Sequence, residues 1–300
     1  MSLTRRAFLA ATGAALGAQE QPVFRTEVKL VRLLATVKDL TGALVGGLAK
    51  EDFAITDNGA AQEVAVFEQQ TEQPLSVAIL LDVSGSTAKD IRYETESLKK
   101  FARALFGSGN PKDQAGLYAF NHEVIKACGF TRRLGRLEEA MRGLKPEAGT
   151  SLYDAILLGA EEVGRREGRR VMIVITDGGD TTSRTDFHKA LEAAHKNDAV
   201  IYSILVVPIE NDAGRNIGGE NALTQFATGT GGKVFRPSLG AALDQAFDSI
   251  LRDLRTQYLL GYYPKNVPLT RNRFHTVKVE TRKPGLRVQT RSGYYGDSAP

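Results

Sequence analysis

Three runs without polar alternation constrain this chain more than any other feature: Val77 to Leu81, Val171 to Ile175 and, apolar but for Ser203, Val200 to Val207. A strand with one solvated face alternates apolar and polar residues, so runs without alternation belong to strands buried on both sides. Between the runs lie segments with helical spacing. Ile91, Leu98, Phe101, Ala102 and Leu105 form one stripe and Leu243, Phe247, Ile250, Leu251 and Leu254 another, each with charge opposite. Buried strands that alternate with amphipathic helices predict a doubly wound, mostly parallel α/β sheet with helices on both faces. Ala115 to Phe120 and Val124 to Cys128, joined at Asn121-His122-Glu123, predict a hairpin that adds an antiparallel strand at the sheet edge.

The ends of the chain follow a period of two instead. Leu33, Ala35 and Val37 alternate with Leu34, Thr36 and Lys38, and Asp39-Leu40-Thr41-Gly42 reads as a turn. Phe53 to Thr56 and Val64 to Phe67 flank Asp57-Asn58-Gly59, which predicts a hairpin between them. Tyr258 to Tyr263, Phe274 to Glu280 and Leu286 to Thr290 read as strands at the other end. Two or three short strands cannot easily close a core, whereas about six can, so the terminal pieces are expected to form one small β-sandwich carrying the α/β domain as an insertion. The expected division is a leader at 1–18, an N-terminal β segment at 19–73, the α/β domain at 74–256 and a C-terminal β segment at 257–300.

The leader stands apart from the rest. Thr4-Arg5-Arg6-Ala7-Phe8-Leu9 precedes a short apolar stretch free of acid that ends in small residues near Ala18. A basic start, a weakly hydrophobic stretch and small residues make an export signal, and the paired arginines resemble the bacterial twin-arginine type. The stretch falls short of the ~20 residues of a membrane span, so no transmembrane segment is expected once the signal is removed. The expected location is the periplasm, the cell envelope or the extracellular space.

Composition narrows the chemistry. The formal charge of +4 is spread along the chain without runs of one sign, which gives no nucleic-acid footprint. Cys128 is the single cysteine, so no intramolecular disulfide forms, and one Cys with four His offers no zinc-type spacing. A metal in this chain would have to be held by oxygen.

Oxygen-bearing strings follow the predicted strands. Asp82-Val83-Ser84-Gly85-Ser86 comes directly after the first apolar run, with a carboxylate and two hydroxyls at alternate positions. Gly149-Thr150-Ser151 enters a helix, and Thr176-Asp177-Gly178-Gly179-Asp180 closes the second run. Each alone also suits helix capping, since Asp, Ser and Thr are preferred caps. Together they place Asp82, Ser84, Ser86, Thr150 and Asp177 on loops at one end of a parallel sheet. That all-oxygen set suits magnesium, with calcium or manganese as alternatives, and argues against zinc or copper.

Asp82-x-Ser84-x-Ser86, Thr150 and Asp177-Gly178 resemble, in type and order, the metal-ion-dependent adhesion site of von Willebrand factor type A domains. The resemblance covers about 75–256. Leu44 to Leu48 before Asp52-Phe53, and Leu260-Gly261-Tyr262-Tyr263-Pro264, also resemble type A-related proteins of acidobacteria. It implies a Rossmann-like sheet whose first and fourth strands lie side by side, with ligands binding at that switch point. It further implies a binding protein rather than an enzyme, in which hydroxyls hold the ion directly, the aspartates act largely through water, and an Asp or Glu carboxylate of a protein partner completes the shell.

Two other classes compete. A magnesium-dependent hydrolase would need an acid or base beside a sheet-end aspartate, but Ser84 takes that place, and no Walker loop or Ser/His/Asp set occurs. A structural envelope protein with a purely stabilising metal is the other. Asp180 is expected to cap a helix, Asp154 to sit in a first helical turn, His122, His188 and His195 to be solvated, Tyr153 and Tyr202 to pack, and Cys128 to be an inert strand residue. If the leader is a twin-arginine signal, replacing Arg5 and Arg6 with Lys should keep the uncleaved chain in the cytoplasm. Fractionation with N-terminal sequencing checks this, and unchanged location and cleavage would refute it.

Overall fold

Alternation and burial decide which part of the chain goes where. The computed structural model describes residues 30–69, 72–87, 90–206, 216–268, 270 and 273–296; the expected signal lies outside them. The chain begins with β1 (Val31–Asp39), β2 (Phe53–Asp57), β3 (Ala60–Gln62) and β4 (Val66–Glu68). It continues through β5 (Leu75–Asp82), α1 (Ile91–Ser108), β6 (Gln114–Phe120), β7 (Val124–Thr131), α2 (Leu134–Arg142) and α3 (Leu152–Gly164). Next come β8 (Arg169–Thr176), α4 (Phe187–Lys196), β9 (Ala199–Leu205), α5 (Ile217–Thr230), β10 (Val234–Phe235) and α6 (Ala241–Arg255). The last elements are β11 (Tyr258–Tyr262), β12 (Phe274–Thr281), β13 (Leu286–Gln289) and β14 (Gly293–Tyr295).

The apolar runs become the middle of a six-stranded sheet of order β10-β9-β8-β5-β6-β7. Every residue of β5 and β9 is buried, as expected of strands covered on both faces. Neighbours along this sheet are parallel except β6 and β7, which form the antiparallel edge hairpin. One face packs the stripes of α1 and α6 with Leu137 and Met141 of α2 onto Val77, Ile79, Leu81, Val171, Ile173 and Ile175. The other face takes α3, α4 and α5 onto Ala78, Leu80, Met172, Val174 and Ile201. The chain is thus a mostly parallel α/β sheet sandwiched by helices, with additional antiparallel sheets.

Those additional sheets are β13-β1-β11-β4 and β14-β12-β2-β3, each four-stranded. They share one apolar core, made by Leu33, Ala35 and Val37 of β1, Phe53 and Ile55 of β2, Tyr258, Leu260 and Tyr262 of β11, and Val277 and Val279 of β12. Strands from before β5 therefore pair with strands from after α6, with β1 between β11 and β13 and β2 beside β12. The Asn58-Gly59 turn, with φ of 46° and 84°, joins β2 to Ala60–Gln62 rather than to the Val64–Phe67 run. Val66, Phe67 and Glu68 instead pair with β11 in the opposite sheet. The turn chemistry decided the bend, and sandwich closure decided the partner.

Asp57 ties the two sheets together. It is wholly buried and takes hydrogen bonds from the Tyr262 hydroxyl at 2.8 Å and the Tyr294 hydroxyl at 2.7 Å, with His275 Nδ1 3.1 Å from its other oxygen. A buried carboxylate is tolerated only with such partners, and its removal strands them.

The sandwich meets the α/β domain at the N-terminal ends of the parallel strands. Lys38 pairs with Asp253 at 3.0 Å, and Arg169, at the start of β8, donates to the carbonyls of Gln73 and Leu254. His195 belongs to this seam. It is 5% exposed and stacks on Phe274 with centroids 5.3 Å apart, so the expected solvated imidazole is a packed one. Helical periodicity placed it on α4, but only the docked C-terminal strands cover it. Asp57→Ala should destabilise the protein by about 3 kcal/mol, because three polar groups lose their partner in an apolar core. Urea unfolding checks this, and a loss within about 0.5 kcal/mol, as for an ordinary surface change, would refute it.

Candidate metal site

The site lies where β5 and β8 end side by side, the point at which connections from the sheet leave in opposite directions. Asp82 closes β5 with no exposed surface. Its Oδ1 accepts from the Ser84 amide at 2.8 Å and its Oδ2 from the Thr176 hydroxyl at 2.6 Å, so the carboxylate joins both strand ends. Thr176 Oγ1 in turn accepts from the Gly178 amide at 3.2 Å. Ser84 Oγ and Ser86 Oγ stand 3.0 Å apart; Ser84 is buried and Ser86 exposed. The turn does not require glycine at 85, since its φ lies outside the left-handed region and a Cβ there would meet nothing within 4 Å.

Thr87 fastens this loop to α1. Its hydroxyl donates to the carbonyls of Asp82 and Ser84, both at 3.0 Å, and its own carbonyl accepts from the Ile91 amide at 3.1 Å. The second loop is stitched to the first where the Glu147 amide donates to the Val83 carbonyl at 3.0 Å. It is stitched to the third through Thr150, whose amide donates to Thr181 Oγ1 at 2.9 Å and whose carbonyl accepts from the Thr181 amide at 2.8 Å. Gly149 adopts φ of 91°, and a Cβ there would lie 2.9 Å from His122 Cβ, so only glycine lets this loop approach the hairpin.

Of the five residues expected to hold an ion, Asp82, Ser84 and Ser86 are connected by hydrogen bonds. Asp177, half-buried, acts on Asp82 through its charge. Thr150 is nearly buried and joins through its backbone. Asp180 does cap a helix, but it is α3, whose Tyr153 amide donates to Asp180 Oδ1 at 3.2 Å. Asp154 holds the loop rather than only complementing a dipole, accepting from the amides of Arg184 at 3.0 Å and Thr185 at 2.9 Å. Cys128 is half-buried, and burial raises its thiol above the usual range, which keeps it inert.

One residue of the neighbourhood escaped the sequence reading. Glu94 projects from the buried side of α1, 1% exposed, and neither of its carboxylate oxygens has a hydrogen-bond partner among the described residues. Its signal was available: position 94 falls on the apolar stripe between Ile91 and Leu98, where an acid is out of place. Thr176 opens the third oxygen-bearing string but was left out of the expected set, since nothing in the sequence says that its hydroxyl reaches Asp82.

Burial pushes Asp82 up to about 6 against the hydrogen bonds of Thr176 and Ser84, and the charge of Asp177 adds to the rise. Burial likewise pushes Glu94 up to about 8, with the charges of Asp82, Asp90 and Asp177 behind it. Carboxylates held this way repel one another and call for a cation. The residues therefore fit a hard divalent ion: paired hydroxyls, a half-exposed carboxylate and buried carboxylates lacking a positive partner. No three carboxylate, imidazole or thiol groups among the described residues cluster closely enough to hold an ion unaided. Hydroxyls and water would have to complete the shell.

The family model for the von Willebrand factor type A domain matches residues 77–180. This chain contains a von Willebrand factor type A domain. The matched segment carries all three loops. Among solved structures, the chain is similar to the conserved hypothetical protein BatB from Bacteroides thetaiotaomicron, at 20% identity and TM-score 0.48, over 60% of this chain and 98% of that one. It is similar to the vWF domain of the type V pili tip protein Mfa5 from Porphyromonas gingivalis, at 14% identity and TM-score 0.47, over 60% and 94%. It is also similar to the pilus adhesin SpaC from Lactobacillus rhamnosus GG, at 8% identity and TM-score 0.50, over 87% of this chain and 47% of that one. At such identities the likeness concerns the fold. No curated protein matches the sequence.

The raised carboxyls set a pH dependence. The folded state keeps protons that the unfolded chain gives up at lower pH, so the stabilisation is present below the ordinary carboxyl range and is lost as pH rises through the folded values. Asp82 acts up to about 6, where it is opposed by His195, which burial lowers to about 4. Above about pH 7 the His195 contribution is complete and the slope due to Glu94, near 8, remains. In chelator, the melting temperature of the wild type relative to Glu94→Gln should fall between pH of about 7 and about 8.5. A difference that stays flat or grows would refute the burial of this acid.

Proposed function

We propose that this protein is an exported binding protein whose type A domain captures an acidic side chain of a protein partner on a divalent ion, magnesium by preference, held by Asp82, Ser84, Ser86, Thr150 and Asp177. The observation that carries the reading is the meeting of three hydrogen-bonded, oxygen-bearing loops at the ends of β5 and β8, around a carboxylate with no exposed surface. Ser86 is exposed and Asp177 half-buried, which leaves both accessible to a partner, whereas Ser84 lies beneath Ser86 in the hydroxyl pair. The ion would supply Lewis acidity toward a carboxylate oxygen, and affinity would come from completing a coordination shell across an interface.

Catalysis finds less support. His122, the imidazole on the neighbouring hairpin, is exposed and 3.6 Å from Glu147, and the thiol of Cys128 is held protonated. None of these is arranged as a base beside a nucleophile. The contact of Lys38 in β1 with Asp253 of α6 lies at the other end of the parallel strands from the proposed binding edge.

Calorimetric titration of the mature protein should give one site for Mg²⁺, Ca²⁺ or Mn²⁺. Asp177→Ala should abolish it without unfolding the protein, Asp82→Ala should abolish it and also lower the melting temperature because Ser84 and Thr176 lose their acceptor, and Ser84→Ala or Thr150→Ala should weaken it. Partner capture from the envelope fraction should then depend on metal and fail in chelator. Equal metal binding by wild type and Asp177→Ala would remove the site assignment. Metal binding that raises the melting temperature while capture ignores chelator would make the ion structural.

A further inference from the structure

We propose that Glu94 is a third carboxylate of this metal site, acting on the ion through a coordinated water rather than by a bond of its own. The proposal rests on the metal reading of the Asp82 loop and adds to it a residue from the helix face.

Glu94 is out of keeping with its surroundings. The other members of its stripe, Leu98, Phe101, Ala102 and Leu105, are buried apolar residues packed on the sheet. Neither Glu94 oxygen accepts a hydrogen bond, and no ion pair involves it among the described residues. A leucine or methionine there would cost the fold nothing that Glu94 now supplies. Protonation does not resolve the matter, because a carboxylic acid has an O–H that also needs an acceptor. Nor does the helix dipole: Glu94 lies one turn into α1, where a favourable end effect is worth about 0.3–1 kcal/mol, and burying an ion costs several. A cation is what the position lacks.

Position points to the same cation as Asp82. Helical side chains lean toward the N-terminus of their own helix. The N-terminus of α1 is bound by Thr87 to the carbonyls of Asp82 and Ser84, so Glu94 leans back toward the loop that carries the hydroxyl pair. The acids whose charges act on it are Asp82, Asp90 and Asp177, two of which belong to the site. No three acids of the described residues converge closely enough to hold an ion by themselves, so the proposed contact of Glu94 with the ion runs through water rather than a direct bond. Outer partners of this kind orient coordinated water and raise the charge complementarity of a site. With Asp82 and Asp177 alone, a divalent ion is only just neutralised; Glu94 gives the loaded site a net negative charge. Glu94 thus acts on retention of the ion in the absence of a partner, and the pull on an incoming acid comes from the open position on the ion.

The test is metal affinity of the mature protein, read by calorimetry with Mg²⁺ and Mn²⁺ for wild type, Glu94→Gln and Glu94→Leu. Gln keeps the shape and an acceptor but removes the charge; Leu removes both. Affinity should fall about 10-fold in Glu94→Gln and up to about 100-fold in Glu94→Leu, while both variants, without metal at pH about 7.5, melt no lower than wild type. With Mn²⁺ bound, water proton relaxation should show faster water exchange in both variants, because a coordinated water has lost its anchor. Affinities within about threefold of wild type would overturn the role of Glu94 and leave the metal site standing. Absence of metal binding in the wild type would overturn the site itself, and Glu94 with it.

Discussion

The structure turns on a carboxylate placed where water cannot reach it. Asp82 ends the central strand of the parallel sheet with donors from Ser84 and Thr176 on its two oxygens, so it ties the ends of β5 and β8 together. Burying a charge costs several kcal/mol unless it is paired, so the loops around it are held to a narrow geometry by the need to satisfy it. Thr87, Glu147 and Thr181 extend that constraint outward, stitching three loops into one surface. The hydroxyl pair of Ser84 and Ser86 is thereby presented on a fixed support, which is what a site of weak neutral oxygen donors requires.

The terminal strands answer a different need. The strands before β5 and those after α6 contribute to one shared core between the two sheets. Asp57, from the first group, is satisfied only by Tyr262, Tyr294 and His275 from the second, so the two ends of the chain are mutually dependent. Lys38 and Arg169 then anchor this unit to the α/β domain at the N-terminal ends of the strands. The two chemistries are thus kept at opposite ends of one sheet: a tightly packed seam below, and open loops above.

How far the sequence spoke can be judged from particular residues. The runs beginning at Val77, Val171 and Val200 lacked alternation and became doubly buried strands. Asn58-Gly59 specified its turn through positive φ, yet its following strand was misjudged, because three residues of Ala60–Gln62 carry no hydrophobic pattern. His195 read as a solvated helix residue because its cover comes from Phe274, far along the chain. Glu94 broke an apolar stripe in plain view, but one misplaced acid in a helix does not say what lies opposite it.

By itself the sequence determined the elements and their order, since periodicity is a local property set by which faces of a strand or helix meet water. It also determined the chemical character of the candidate site, because one cysteine and few histidines leave oxygen as the donor. Only the tertiary structure decided that strands before β5 pair with strands after α6, that Thr176 reaches Asp82, and that Glu94 has no hydrogen-bond partner among the described residues. Those facts join residues 94 and 205 positions apart, or depend on which groups lack a partner among the described residues. Contacts at such separation are selected by how whole faces pack, which no local pattern encodes.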